Sequence, residues 1–111
     1  MATASSLTAA KGRQNAFDTV SASSTDSSLV AAVSGHRIRV LGMGVSCGGT
    51  ASTFQFESGT STAISPVFNN SIVLPLNESG WFETNAGEAL TVTTGAGSAT
   101  AIIIVYEIIL V

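Results

Sequence analysis

Few side chains in this sequence could act as nucleophiles or general bases. His36 is the only histidine and Cys47 the only cysteine. Asp18 or Asp26 could join His36 and a serine in a catalytic triad, but with 16 serines in the chain such a combination arises by chance. Cys47 follows an apolar segment, which indicates a buried thiol rather than a nucleophile. We therefore predict no catalytic residues and expect that the protein is not an enzyme.

The spacing expected of a metal or cofactor site is also missing. A single histidine and a single cysteine, eleven positions apart, cannot complete the four-ligand shell of zinc. Glu78, Glu83 and Glu88 recur at intervals of five in a segment rich in turn residues. We interpret them as surface acids rather than as the paired carboxylates of a glycosidase. We predict no metal and no cofactor.

Length and charge exclude several classes of protein. The chain has 111 residues, which corresponds to one domain, and only 10% of them are charged. The net charge is −3, and there are four basic residues: Lys11, Arg13, Arg37 and Arg39. A nucleic-acid-binding protein would show a basic patch or stripe, so we predict no nucleic-acid partner.

The ends of the chain and its single cysteine point to synthesis in a cytoplasm. The N-terminus lacks the charged start and apolar run of a signal peptide, and one cysteine excludes an intrachain disulfide. The apolar residues 101–111 are interrupted by Glu107, and they are too few to span a membrane, which takes about 20 residues. We predict no membrane partner.

Short segments with alternating apolar residues, separated by turns rich in Gly, Ser and Asn, follow one another from residue 16 onward. Eight or nine such strands with a turn every 8–12 residues predict an all-β antiparallel sandwich. A jelly-roll barrel is the leading arrangement and an immunoglobulin-like sandwich the alternative. We expect residues 16–111 to form this domain, and residues 1–15 to form an N-terminal arm that is flexible or ordered by a partner.

The segment 36–45 has the clearest pattern of a central strand. Two glycines inside it predict a bulge or a close neighbour. Strict alternation places Ile38, Val40 and Gly42 on one face. The opposite face would then carry Arg37, Arg39, Leu41, Met43 and Val45.

The closing strand, residues 100–110, is apolar on both faces. Ile102, Ile104, Tyr106 and Ile108 share one face, whereas Ile103, Val105, Glu107 and Ile109 share the other. A sheet that is covered on one side only should alternate apolar with polar residues. We therefore predict that Ile103, Val105 and Ile109 lie in an oligomer interface. A homotrimer is the leading expectation, and a dimer remains open.

Trp81 and Phe82 are adjacent, so in a strand they point to opposite faces. The indole N–H of a buried tryptophan needs a hydrogen-bond partner, whereas phenylalanine has no such requirement. We therefore expect Phe82 in the core and Trp81 at an edge or a partner contact.

Three features together resemble small β-sandwich proteins encoded by tailed bacteriophages. They are the sequence GWFET at residues 80–84 followed by GEAL at 87–90, a hairpin rich in Thr and Gly, and a long closing strand that contains Tyr106. Several proteins of this group are similar to capsid decoration, or cement, proteins, and the resemblance covers about residues 35–110. It implies a structural virion protein, often trimeric, that clamps neighbouring major capsid subunits.

The resemblance and the residue pattern lead to one expected function and two alternatives. We expect a decoration protein that is made in the host cytoplasm and stabilises a phage head from its outer surface, where Lys11, Arg13 and Trp81 contact the major capsid protein. The first alternative is a tail or fibre adhesion module that binds host-surface glycan. The second, less favoured, is a small hydrolase or lectin-like domain.

Overall fold

The computed structural model describes residues 12–48 and 52–111, and these residues form ten β-strands and no helix. Most of the expected N-terminal arm lies outside the described residues, and the first strand begins at Gln14. The strands are β1 (Gln14–Val20), β2 (Ser27–Val30), β3 (His36–Cys47), β4 (Thr53–Ser58), β5 (Thr62–Ala63), β6 (Phe68–Asn69), β7 (Ile72–Leu74), β8 (Phe82–Glu83), β9 (Leu90–Thr94) and β10 (Thr100–Leu110).

The strands form two five-stranded antiparallel sheets that pack face to face. Sheet A has the order β2–β9–β4–β5, and β6 also pairs with β4. Sheet B has the order β1–β10–β3–β7, and β8 also pairs with β3. The prediction of an all-β antiparallel sandwich is confirmed.

The strand pairings are nested, as in one long hairpin that has been rolled up. The first strand pairs with the last, β2 pairs with β9, β3 pairs with β7 and β8, and β4 pairs with β5 and β6. Rolling brings β10 beside β3 and β9 beside β4. This winding is typical of a jelly roll rather than of an immunoglobulin-like sandwich.

Aromatic rings fill the space between the sheets at one end of the core. Phe54 and Phe56 are fully buried, which confirms the period-two pattern of β4. The ring of Phe68 stacks on Phe54 with their centroids 5.3 Å apart. Phe82 is half-buried, and its ring centroid lies 5.1 Å from that of Phe56. Phe82 therefore packs against the core, as expected.

The bulge expected in β3 is present, and it overturns the simple alternation of this strand. Val105 of β10 is opposite Gly42, but the next residue, Tyr106, is opposite Val40, so Leu41 is an extra residue. The extra residue shifts the pattern by one. As a result, Met43 and Val45 join Ile38 and Val40 in the core, while Gly42 and Gly44 lie on the outer face with the two arginines. The expected grouping of Gly42 with Ile38 and Val40 is wrong for this reason.

The aromatic core generates a stability prediction. Phe56→Ala removes a fully buried ring and should lower the free energy of unfolding by about 3–5 kcal/mol. Phe82→Ala should cost less, because Phe82 is half-buried. Urea unfolding of both variants at one protein concentration measures the difference. A larger loss at Phe82 than at Phe56 would contradict this account of the core.

Candidate interaction surface

A row of paired residues crosses the outer face of sheet B and leaves large apolar side chains uncovered. Phe17 on β1 pairs with Ile103 on β10, Ile103 pairs with Gly44 on β3, and Gly44 pairs with Val73 on β7. The exposed fractions are 68% for Phe17, 49% for Ile103 and 73% for Val73. The outer face of this sheet is therefore apolar where a solvated face would carry polar residues.

An apolar groove of about 290 Å³ runs along this face. Ile103 and Val105 form one wall, and Val73, Leu74 and Leu76 form the other. A Cβ atom at Gly44 would lie 3.4 Å from Cγ2 of Ile103, so the absence of a side chain there leaves the floor open.

Gly42, next to the groove, lets another part of the chain approach β3 closely. A Cβ atom at this position would lie 3.2 Å from the carbonyl oxygen of Leu74 and 3.5 Å from Cα of Leu76. The segment 75–81 continues from there, and the backbone N–H of Asn77 donates to the carbonyl oxygen of Leu41 at 2.8 Å. The indole N–H of Trp81 donates to the carbonyl oxygen of Pro75 at 2.8 Å, which fixes the two ends of the segment to each other.

Ion pairs occupy the other half of the same face. Glu83 lies between two arginines, with Oε1 at 3.0 Å from Nε of Arg39 and Oε2 at 3.5 Å from Nη1 of Arg37. Nη1 of Arg39 also lies 3.6 Å from Oε1 of Glu107. Because these side chains are partly exposed, each pair adds little to stability. The groove is therefore bordered by charges that already have partners.

Arg13 and Glu78 form a further ion pair that passes over the sheet. Nη2 of Arg13 lies 2.9 Å from Oε2 of Glu78. Arg13 precedes β1 at one edge, whereas Glu78 belongs to the segment after β7, so the contact crosses the outer face of β10 and β3. The segment 75–81 is held over β3 by its close approach at Gly42 and by the Asn77–Leu41 bond, and this exposed ion pair adds little to that.

The structure brings together only some of the residues expected to form contacts. Ile103 and Val105 lie in the groove wall, but Ile109 pairs with Arg37 in the charged half. Trp81 is 41% exposed. Lys11 lies outside the described residues, and Arg13 is paired with Glu78 of its own chain.

Phe17 and the opposite wall of the groove, at Val73 and Leu76, were not predicted from the sequence. Phe17 lies in a segment with only weak alternation, so its exposure had no clear signal. The glycines of β3 indicated a close neighbour. The face of the sheet on which they lie was predicted wrongly, because the position of the bulge could not be read from the sequence.

The residues with catalytic potential are not assembled into a site in the described part of the chain. Residues 44–48, GVSCG, match the Gly-x-Ser-x-Gly pattern. In a nucleophile elbow that serine lies on a sharp strand-to-helix turn. Ser46 instead lies within β3, opposite Ala101, and His36 is at the other end of the same strand. Cys47 is buried.

Two further features are absent from residues 12–48 and 52–111. No three His, Cys, Asp or Glu side chains come together there as a metal site would require. The same residues contain no helix long and apolar enough to cross a membrane.

A buried carboxyl group lies on the outer side of sheet A, away from the groove. Glu57 is 7% exposed, and its Oε1 accepts a hydrogen bond of 2.7 Å from the hydroxyl of Thr93. The same hydroxyl oxygen accepts a 3.1 Å bond from the backbone N–H of Asp26. Burial raises the pKa of Glu57, and the neighbouring carboxyl group of Asp26 raises it further, whereas the Thr93 bond acts in the opposite direction.

Comparisons of the chain with protein-family models, with curated proteins and with solved structures found no match.

The raised pKa of Glu57 generates a prediction about pH. The folded state holds the proton of Glu57 more tightly than the unfolded state does. The stability that comes from this bound proton is therefore fully present below the unfolded pKa, and it is lost as pH rises through the folded pKa. Glu57→Gln, which keeps an acceptor for Thr93, should reduce the fall in unfolding free energy with rising pH and should stabilise the protein at neutral pH. Urea unfolding between about pH 4 and pH 8 measures both effects.

Glu78→Gln is the matched control, because Glu78 is an exposed acid in an ion pair. The Glu78→Gln variant should keep the fall in unfolding free energy with rising pH that Glu57 causes. If Glu57→Gln leaves the pH dependence as steep as in the wild type, the carboxyl group does not retain its proton in the fold.

Proposed function

We propose that the protein is a non-enzymatic structural protein of a tailed-phage virion, a decoration protein that self-associates, with three copies as the leading assembly, and binds the outer surface of the head. The observation that carries this proposal is the apolar, glycine-floored outer face of sheet B. An uncovered face of this kind on a small domain is typical of a surface that meets another protein.

The interaction surface offers shape and apolar area rather than reactive groups. Burying apolar surface contributes about 25 cal/mol per Å² without requiring any precise charge arrangement. The neighbouring ion pairs satisfy three arginines and three glutamates within the chain, so they add specificity at a rim rather than attraction at long range. Such a surface suits stable packing in an assembly.

An oligomer would strengthen weak contacts with the capsid. A head under internal pressure fails where its subunits meet, and a decoration protein adds buried area across those boundaries. Each copy needs only a modest affinity, because an oligomer engages several capsid sites at once and the later contacts form at a high effective concentration.

Within this proposal Trp81 provides the capsid contact. Its ring is partly exposed, and the 2.8 Å bond to Pro75 holds it in one orientation before binding. A large, pre-oriented aromatic ring is typical of residues that dominate binding energy. Arg13 is less available for this role because its guanidinium already pairs with Glu78.

Attachment to heads tests the proposal. The purified protein should bind phage heads that lack it, and electron microscopy should show added density on the outer head surface. Trp81→Ala should weaken this binding by about tenfold or more, as for other interface tryptophans. Val67→Ala is the control, because Val67 is 60% exposed and lies outside sheet B.

Other outcomes of the same experiment count against the proposal. Density on the tail, together with binding to host-surface glycan that Trp81→Ala abolishes, would support the adhesion alternative. Equal binding by Trp81→Ala and the wild type would remove Trp81 from the capsid contact.

A further inference from the structure

We propose that Phe17 on β1 of one copy inserts into the groove of a neighbouring copy, between Ile103 and Val73 above Gly44. This contact rests on the self-association in the proposed function and specifies which residues make it. It requires no capsid, so it can be tested on the isolated protein.

Phe17 and the far wall of the groove cannot meet within one chain. Phe17 lies on β1, and Val73 lies on β7, three strands away across β10 and β3. With neighbouring strands about 4.8 Å apart, the two positions are separated by roughly 14 Å. A protruding ring and an open groove therefore lie on the same face of each copy, and each is left uncovered by residues 12–48 and 52–111 of its own chain.

The groove has room for the ring. An apolar cavity of roughly 150 Å³ is large enough to hold benzene, and the open volume here is about 290 Å³. The lining residues carry no charged side chain, so a phenyl ring would leave no ionised group unpaired. Val73, Leu76 and Ile103 would provide apolar contacts around it.

The position of Phe17 favours a contact in which the edge of one copy lies against the sheet face of the next copy. Among the described strands β1 pairs only with β10, so it lies at an edge of sheet B. A flat contact between two outer faces is opposed by the segment 75–81, whose start passes closely over Gly42 on this face. An edge-to-face contact is heterologous, so it repeats from copy to copy and forms a ring where the rotation between copies closes.

The uncovered apolar area is sufficient to contribute to an interface. Phe17, Val73, Leu76 and Ile103 together expose roughly 400 Å², within the range of about 300–600 Å² for the largest patch on a single protein. A standard interface buries about 800 Å² on each partner, so the apolar patch and its polar rim are of the size needed. Because the same chain carries both the exposed ring and the open groove, the occupant we propose is a second copy of this chain.

Cysteine cross-linking tests the contact directly. Thr19→Cys, two residues from Phe17 on the same face of β1, leaves the ring of Phe17 in place. Combined with Val73→Cys it should form disulfides between copies under mild oxidation, and the covalent products should extend beyond dimer on a non-reducing gel. The separation of roughly 14 Å within one chain excludes an intrachain bridge, which needs Cα atoms within about 7 Å. Each single variant, and the pair Val67→Cys with Val73→Cys, should remain uncross-linked.

The possible results separate this contact from the proposed function. No covalent product from the Thr19–Val73 pair overturns the contact, and products that stop at dimer overturn the head-to-tail arrangement. Cross-linking by a protein that fails to attach to heads would leave the contact intact and remove the decoration function. Attachment without cross-linking would remove the contact alone.

A groove-filling variant provides an independent check. Gly44→Val should be tolerated by the fold, because a Cβ there makes an ordinary 3.4 Å contact and β-branched residues suit strands. It should weaken self-association by about tenfold, as should Phe17→Ala. Ser46→Val, on the same face of β3 but outside the groove, is the control and should leave association unchanged. Unchanged association in Gly44→Val, measured by sedimentation, would overturn the proposal.

Discussion

The single extra residue at Leu41 determines which side chains of β3 face the core, and the groove depends on it. Without the bulge, strict alternation would turn Gly42 toward the core and Met43 toward solvent, which would cost apolar burial in a small domain. With the bulge, four large side chains of β3 pack between the sheets and both glycines lie outside. The groove, the close approach of the segment 75–81 and the exposure of Ile103 all follow from that shift.

The rest of the sandwich holds this strand in place. β3 is paired along most of its length with β10, and on its other side with β7 and β8. Arg39 contacts both Glu83 and Glu107, which joins β3 to the strands on either side of it. The outer face of sheet B is therefore built on a rigid framework, and a partner would bind it with little loss of conformational entropy.

The sequence predicts the sandwich well because its pattern is local. Period-two alternation places Phe54 and Phe56 inward in β4 and separates the two faces of β10, and both strands follow it without interruption. It fails in β3 after Val40, because a bulge depends on pairing with strands far away in the chain. A local sequence pattern also could not predict the exposure of Phe17 or the contact between Asp26 and Glu57. Each depends on residues that are distant in sequence and adjacent only in the fold.

The central claim is that the outer face of sheet B is covered by other copies of the chain in solution. Sedimentation velocity of the wild-type protein over a wide range of concentration tests it most directly. The account predicts a species whose mass is a multiple of 11.2 kDa, with three copies as the leading expectation, and dissociation only at high dilution. A mass of 11.2 kDa at every concentration would contradict it.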